Sequence, residues 1–270
     1  MIHTEHGLII FIDMQPSEQI GVDKKCVGVM CGVFAKTNIM SNLKQYKDTP
    51  SDERILIAEN IANQMMEDEV RGIGCIAYFE SIEKLGNEML DSMPEKVAKK
   101  IGKQYKFNST KIGEKVAKVM PWYAAGLSAI ALKSAWYANA LKQKKVLLLL
   151  DKLPGNSSDS LEFLRRMNHH PTILPAWKEC EEKFDLKFTI ANMESFENIA
   201  GEMDNPDNHS EMIYADWLAH SIFATANSPS LLDKPANRDE EYQSKISSIF
   251  LKLHENKLVS LIPIEDLRLS

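Results

Sequence analysis

Cysteine is scarce in this chain, four in 270 residues, too few for the disulfide framework that holds small secreted domains together. Cys26 and Cys31 are an odd number of residues apart. On one regular strand they would face opposite sides, which argues against a zinc pair there. The opening Met1-Ile2-His3-Thr4-Glu5-His6 has no basic stretch followed by an apolar one, so no secretory signal is expected and the chain reads as cytoplasmic. Long hydrophobic runs are also missing. The longest, Trp122 to Leu132, is short and rich in Ala, Gly and Ser, so no membrane span is expected. No phosphate-cradling glycine loop and no Gly-x-Ser-x-Gly elbow occurs, which removes the common nucleotide-binding and serine-hydrolase signatures.

What remains is a globular composition, 44% hydrophobic and 26% charged, in a chain long enough to bury a real core. The net charge of −6 hides an asymmetry. Between Glu95 and Lys118 eight lysines meet two acids, so this segment carries +6 and the rest of the chain −12. Phosphate backbones are bound by clustered cations rather than by net charge. Lys96, Lys99, Lys100, Lys103, Lys106 and Lys111 are therefore candidate nucleic-acid contacts, with Tyr105 and Phe107 as stacking side chains. A solvated face of lysine-rich helices is the competing reading.

Periodicity predicts strands at Gly7–Asp13 and Cys26–Ala35, paired as a hairpin with an irregular loop, and at Cys75–Phe79, introduced by Gly72 and Gly74. The five consecutive apolar residues Val146–Leu150 predict a central strand covered on both faces, and Lys187–Ala191 a short further one. Helices are expected from Ser51, a plausible N-cap, to about Val70; from about Thr110 to Lys144, broken or kinked at Pro121; from near Ser158; around Asp216; and over about Glu240–His254. An antiparallel start followed by alternating helix and strand implies an α/β chain with a mixed sheet and helices on both faces.

Three aspartates occupy places where an apolar residue is normal. Asp13 ends Leu8-Ile9-Ile10-Phe11-Ile12, Asp151 ends Val146 to Leu150, and Asp216 lies inside Met212 to Ala219. A lone buried carboxylate costs several kcal/mol unless a charge or metal offsets it. Each acid alone could cap a strand end or bond turn amides; the set points to one shared cation.

The order of elements and acids resembles the ribonuclease H-like fold: three antiparallel strands, then helix, strand, helix, strand, helix, with acids on the first strand, at the end of the fourth and on the last core helix. More narrowly, Ile10-Phe11-Ile12-Asp13, Val146 to Asp151, and Tyr214-Ala215-Asp216-Trp217-Leu218-Ala219-His220 resemble the bacterial and phage family called domain of unknown function 3800. The resemblance covers Gly7 to about Ala226, with a helical insertion at about 51–70. It implies a mixed five-stranded sheet flanked by helices in a domain over 1–226, with 227–270 as a loop, helix and tail packed on it. It further implies a metal-dependent nuclease acting on DNA or RNA, in mobile-element conflict or phage defence. Asp13, Asp151 and Asp216 would hold Mg²⁺ or Mn²⁺, hard cations that prefer oxygen. Glu114 is the one candidate for the fourth acid, early on the first core helix. His220 shares the helix face of Asp216, either to move protons or as a hydrogen-bonded core histidine. The sequence departs from the family where Met14-Gln15-Pro16-Ser17 replaces Glu-Ser-Gly after Asp13, so one acid is missing or displaced to Glu18. That departure keeps open a catalytically inactive interaction or nucleic-acid-binding module. A protein partner or homo-oligomer is equally open.

Overall fold

The computed structural model describes residues 7–15, 26–34, 51–78, 111–151, 173–192, 210–227 and 238–263. In chain order these form β1 (Leu8–Gln15), β2 (Cys26–Phe34), α1 (Ser51–Glu67), β3 (Arg71–Tyr78), α2 (Lys111–Ala140), β4 (Lys145–Leu150), α3 (Ile173–Phe184), β5 (Lys187–Asn192), α4 (Ser210–Asn227), α5 (Arg238–Glu255) and β6 (Val259–Pro263). Among the described residues, no helix is long and apolar enough to cross a membrane.

The strands form one mixed sheet in the order β5-β4-β1-β2-β3-β6. β2 is antiparallel to both its neighbours, whereas β1–β4, β4–β5 and β3–β6 are parallel. β1 and β4 lie in the middle, which explains their unbroken apolar sequence: both faces are covered. Alternation divides their side chains between two cores. Leu8, Ile10, Ile12 and Met14 pack with Leu127 and Ile130 of α2 and Trp177 of α3. Ile9, Phe11, Leu147 and Leu149 pack with Trp217 and Leu218 of α4 and Phe250 of α5. Each such side chain contributes about 1.5–3 kcal/mol on burial, so a one-residue slip of β1 would exchange the two cores and is strongly disfavoured.

The sheet has six strands where the sequence predicted five. Val259–Pro263 reads as a tail but pairs in parallel with Gly72–Ile76, so the segment beyond 227 completes the sheet through β6 and covers it through α5. Two further expectations need correcting. Pro121 does not break α2, which runs unbroken from Lys111 to Ala140. A proline inside a helix forfeits one backbone bond and costs about 3 kcal/mol; burial of Leu127, Ala131, Ala135 and Ala138 downstream offsets that loss. Gly72 and Gly74 lie within β3 rather than before it. The helix expected near Ser158 falls outside the described residues.

Four helices pass into strands by the same device. Glu69, Lys142, Asp185 and Lys257, just past the ends of α1, α2, α3 and α5, adopt positive φ of 51–58°. In each case the next residue donates its N–H five residues back, as Val70 does to Met65 O at 2.9 Å and Leu258 to Leu253 O at 3.1 Å. This Schellman closure satisfies the last carbonyls of the helix. It drives Val70, Leu186 and Leu258 into the core and starts the following strand at once.

Candidate functional site

β1 and β4 run side by side with Ile12 opposite Leu150. One residue further on, the Asp151 N–H donates to Ile12 O at 3.1 Å, continuing the ladder. Asp13 and Asp151 are thus neighbours at the C-terminal ends of adjacent parallel strands, with backbones about 4.8 Å apart. Ile12 and Leu150 point into the α2 side of the sheet, so alternation turns the two aspartates toward the α4 side. Asp13 is 9% exposed and one of its oxygens, Oδ1, accepts the Met14 N–H at 2.7 Å. Asp151, in the bend that ends β4, is half-buried.

The third aspartate comes from α4. That helix lies close on the sheet because β3 presents glycines beneath it: a Cβ at Gly72 would fall 2.5 Å from Leu218 Cδ2, and one at Gly74 2.6 Å from Ile222 Cδ1. Asp216, also 9% exposed, accepts a hydrogen bond from Gln15 Nε2 at 3.4 Å. Gln15 is two residues beyond Asp13 and so shares its face. One end of the sheet therefore carries all three predicted aspartates on one side, two on neighbouring strands and one hung over the end of β1.

His220 is one turn beyond Asp216, half-buried, its ring centroid 6.3 Å from that of Tyr242 on α5. Burial pushes its pKa below the ordinary histidine value and the Arg54 guanidinium on α1 adds to this, while the Asp216 charge opposes both. The imidazole is accordingly neutral near pH 7, a state that can accept a proton. α1, α4 and α5 thus meet beside the aspartates, with Arg54, His220 and Tyr242 at the junction.

Glu114 lies in the first turn of α2. The described part of that helix packs on the opposite face of the sheet, and the Glu114 side chain is outside the described ones. Lys96, Lys99, Lys100, Lys103 and Lys106 fall outside the described residues, as does Glu18; Lys111 opens α2. Among the described residues, no three His, Cys, Asp or Glu side chains converge tightly enough to hold a metal ion. The donor set is right in kind for a hard cation, and Asp13 and Asp216 each give one oxygen to a neighbouring amide. Sequence reasoning missed Gln15, which extending β1 past Asp13 would have found, and Arg54, for which the sequence holds no signal. No family model matches the chain, and no curated protein or solved structure is detectably similar to it.

Proposed function

We propose that the chain is a divalent-metal-dependent nuclease of the ribonuclease H-like type, hydrolysing phosphodiester bonds in DNA or RNA. The observation that carries this reading is the pairing of Asp13 with Asp151 at the ends of adjacent parallel strands, with Asp216 over the same face. The strand order supports it: β5-β4-β1-β2-β3, with β2 alone reversed, is the order of a ribonuclease H-like sheet, and β6 is an addition at its edge. Asp13, Asp151 and Asp216 would hold Mg²⁺ or Mn²⁺. Bound there, such ions supply the positive charge that activates water and stabilises the leaving oxygen. Gln15 fixes the Asp216 carboxylate, and neutral His220 stands ready to take a proton at the rim. The lysines between 96 and 111 would add electrostatic affinity for the phosphate backbone.

A second reading is a binding module that has kept the fold without the chemistry. It is favoured by Met14 standing where the family carries an acid, and by the absence of a converged trio among the described side chains. The substitution Asp151→Asn separates the two. Asn keeps the size and one acceptor oxygen, and caps or turns as readily as Asp, but it loses the charge that holds a divalent ion. Millimolar Mn²⁺ at about 100 times its Kd adds about 2.7 kcal/mol to the folded state, which for a chain of this size raises Tm by roughly 5–10 °C. Wild type should show that rise, and cleavage of single- or double-stranded DNA or RNA that EDTA abolishes. Asp151→Asn should lose both while its metal-free Tm stays level or increases. A wild-type Tm indifferent to Mn²⁺, or full cleavage by the variant, refutes the metal nuclease.

A further inference from the structure

β1 does not stop at its aspartate. It continues through Met14 to Gln15, opposite Met30 and Val29 of β2, and alternation sends these two side chains to opposite layers. Met14 is buried in the α2-side core together with its partner Met30. Val29, opposite Gln15, and Cys31, opposite Asp13, belong to the α4-side core, and residues directly opposite in a ladder share a face. Past Asp13, Gln15 is thus the β1 residue that stands on the aspartate face. Its amide has two ends, with different partners. An ionised carboxylate only accepts, so the NH₂ end is the one turned to Asp216; Nε2 donates to Oδ1 there at 3.4 Å. That orientation leaves Oε1 as an acceptor, and no described residue donates to it. Gln15 is half-buried, and Oε1 is not among the side-chain atoms sealed from solvent. An accessible amide oxygen is a hard donor of the kind that binds divalent cations beside carboxylates.

We propose that Gln15 is the fourth oxygen ligand of the aspartate site, giving Oε1 to the cation while Nε2 holds Asp216. This role rests on the metal reading of the three aspartates and adds a neutral donor to them. Asp13, Gln15, Asp151 and Asp216 together carry −3. A fourth carboxylate would increase the mutual repulsion of the empty site. An amide supplies the oxygen without that cost and binds the ion less tightly, because affinity follows the number of charged ligands. The Asp216 hydrogen bond serves the same end. Gln15 is fixed by the β1–β2 ladder, so it ties the acid on α4 to the strand before an ion arrives, and ligands held in this way by rigid elements keep their geometry.

The test is Mn²⁺ binding by the full chain, with affinity read from the free-ion electron paramagnetic resonance signal. Ligation itself is read by electron–nuclear double resonance on protein carrying carbon-13 at the glutamine side-chain carbonyl. Wild type at saturating Mn²⁺ should show the coupling of a directly bound carbonyl, and Gln15→Ala should lose it. Gln15→Ala should also weaken Mn²⁺ about tenfold, the lower end of the usual loss when a ligand's support is removed. Gln15→Glu should bind about tenfold tighter than wild type, because it adds a charged ligand, and its Tm in EDTA should fall because a further carboxylate then faces Asp216. A side chain that only positioned Asp216 would change affinity without ever showing the carbonyl coupling. Bound Mn²⁺ without that coupling, or a coupling that persists in Gln15→Ala, would therefore overturn the ligand role alone. Wild type that holds no Mn²⁺ would overturn the metal reading and the ligand role with it.

Discussion

The approach of α4 to β3 fixes where Asp216 stands, and Gly74→Ala tests it. The new methyl would lie 2.6 Å from Ile222 Cδ1 and 2.9 Å from Leu261 Cδ2, about 1 Å inside the contact distance of carbon atoms. Both obstructing atoms are side-chain tips, so part of the clash is relieved by rotation. Overpacking of this degree costs about 1–3 kcal/mol. Replacing a strand glycine returns about 0.5–1 kcal/mol of chain entropy, leaving a net destabilisation of roughly 0–2.5 kcal/mol, about 1 at its centre. Ile222→Val removes the Cδ1 in question and alone costs about 0.5–1.5 kcal/mol. The double variant keeps the contact with Leu261 Cδ2, so it should recover part of the Gly74→Ala loss, with a coupling of up to about 1 kcal/mol. Urea unfolding followed by tryptophan fluorescence measures all three. Because Ile222 and Asp216 ride on one helix, the proposed nuclease reading adds that any cleavage should fall in Gly74→Ala and recover in the double variant. Strictly additive stabilities would refute the close-packing argument and with it the account of how Asp216 is held.

Acidification tests His220. Its folded pKa lies below its unfolded value near 6.5, so its contribution to stability is complete above that value and is lost as pH falls through it toward the folded pKa. His220→Asn should remove part of the stability loss between pH 7 and 5 in thermal unfolding; an unchanged pH slope would show that the buried imidazole does not titrate there. The positive-φ residues at helix ends offer a converse test. Glu69→Gly and Lys257→Gly should each raise stability by up to about 1 kcal/mol, because glycine adopts that backbone without strain, and a fall in Tm would contradict the cap assignment.

Local pattern was enough to locate the edge strand β5, whose exposed Lys187 and Thr189 alternate with Phe188 and Ile190. It also located β1 and β4, because a strand covered on both faces is apolar throughout, although β1 runs two residues past the polar residue that closes its apolar run. The same rule singled out Asp13 and Asp151. It could not locate β6. Leu258 to Pro263 has an ordinary apolar composition, and its only reason to be a strand is the free edge of β3, nearly two hundred residues away in sequence. Pairing of that kind is a property of the sheet and leaves no local mark. Pro121 misled for a related reason: helix propensity is a local quantity, whereas α2 is held by buried residues packed against the sheet downstream of the proline. Arg54 reached the candidate site through the packing of α1 on α4 and α5, again without a sequence signal.

Parity links the apolar runs of β1 and β4 to the face on which their aspartates stand. Asp13 follows Ile12 and Asp151 follows Leu150, and those apolar neighbours both belong to the α2 side of the sheet. Had either strand been one residue longer in its apolar run, its aspartate would point into the opposite layer, away from α4. Asp216 lies on α4, which packs on β1 and β2 from the side opposite α2, so it can meet only acids of that parity. If the three aspartates merely ended strands and capped turns, nothing would require them to agree in face, because a cap works on either side. Their agreement, together with the Gln15–Asp216 hydrogen bond that ties the helix to the end of β1, is what a shared ligand or substrate at that end of the sheet would demand.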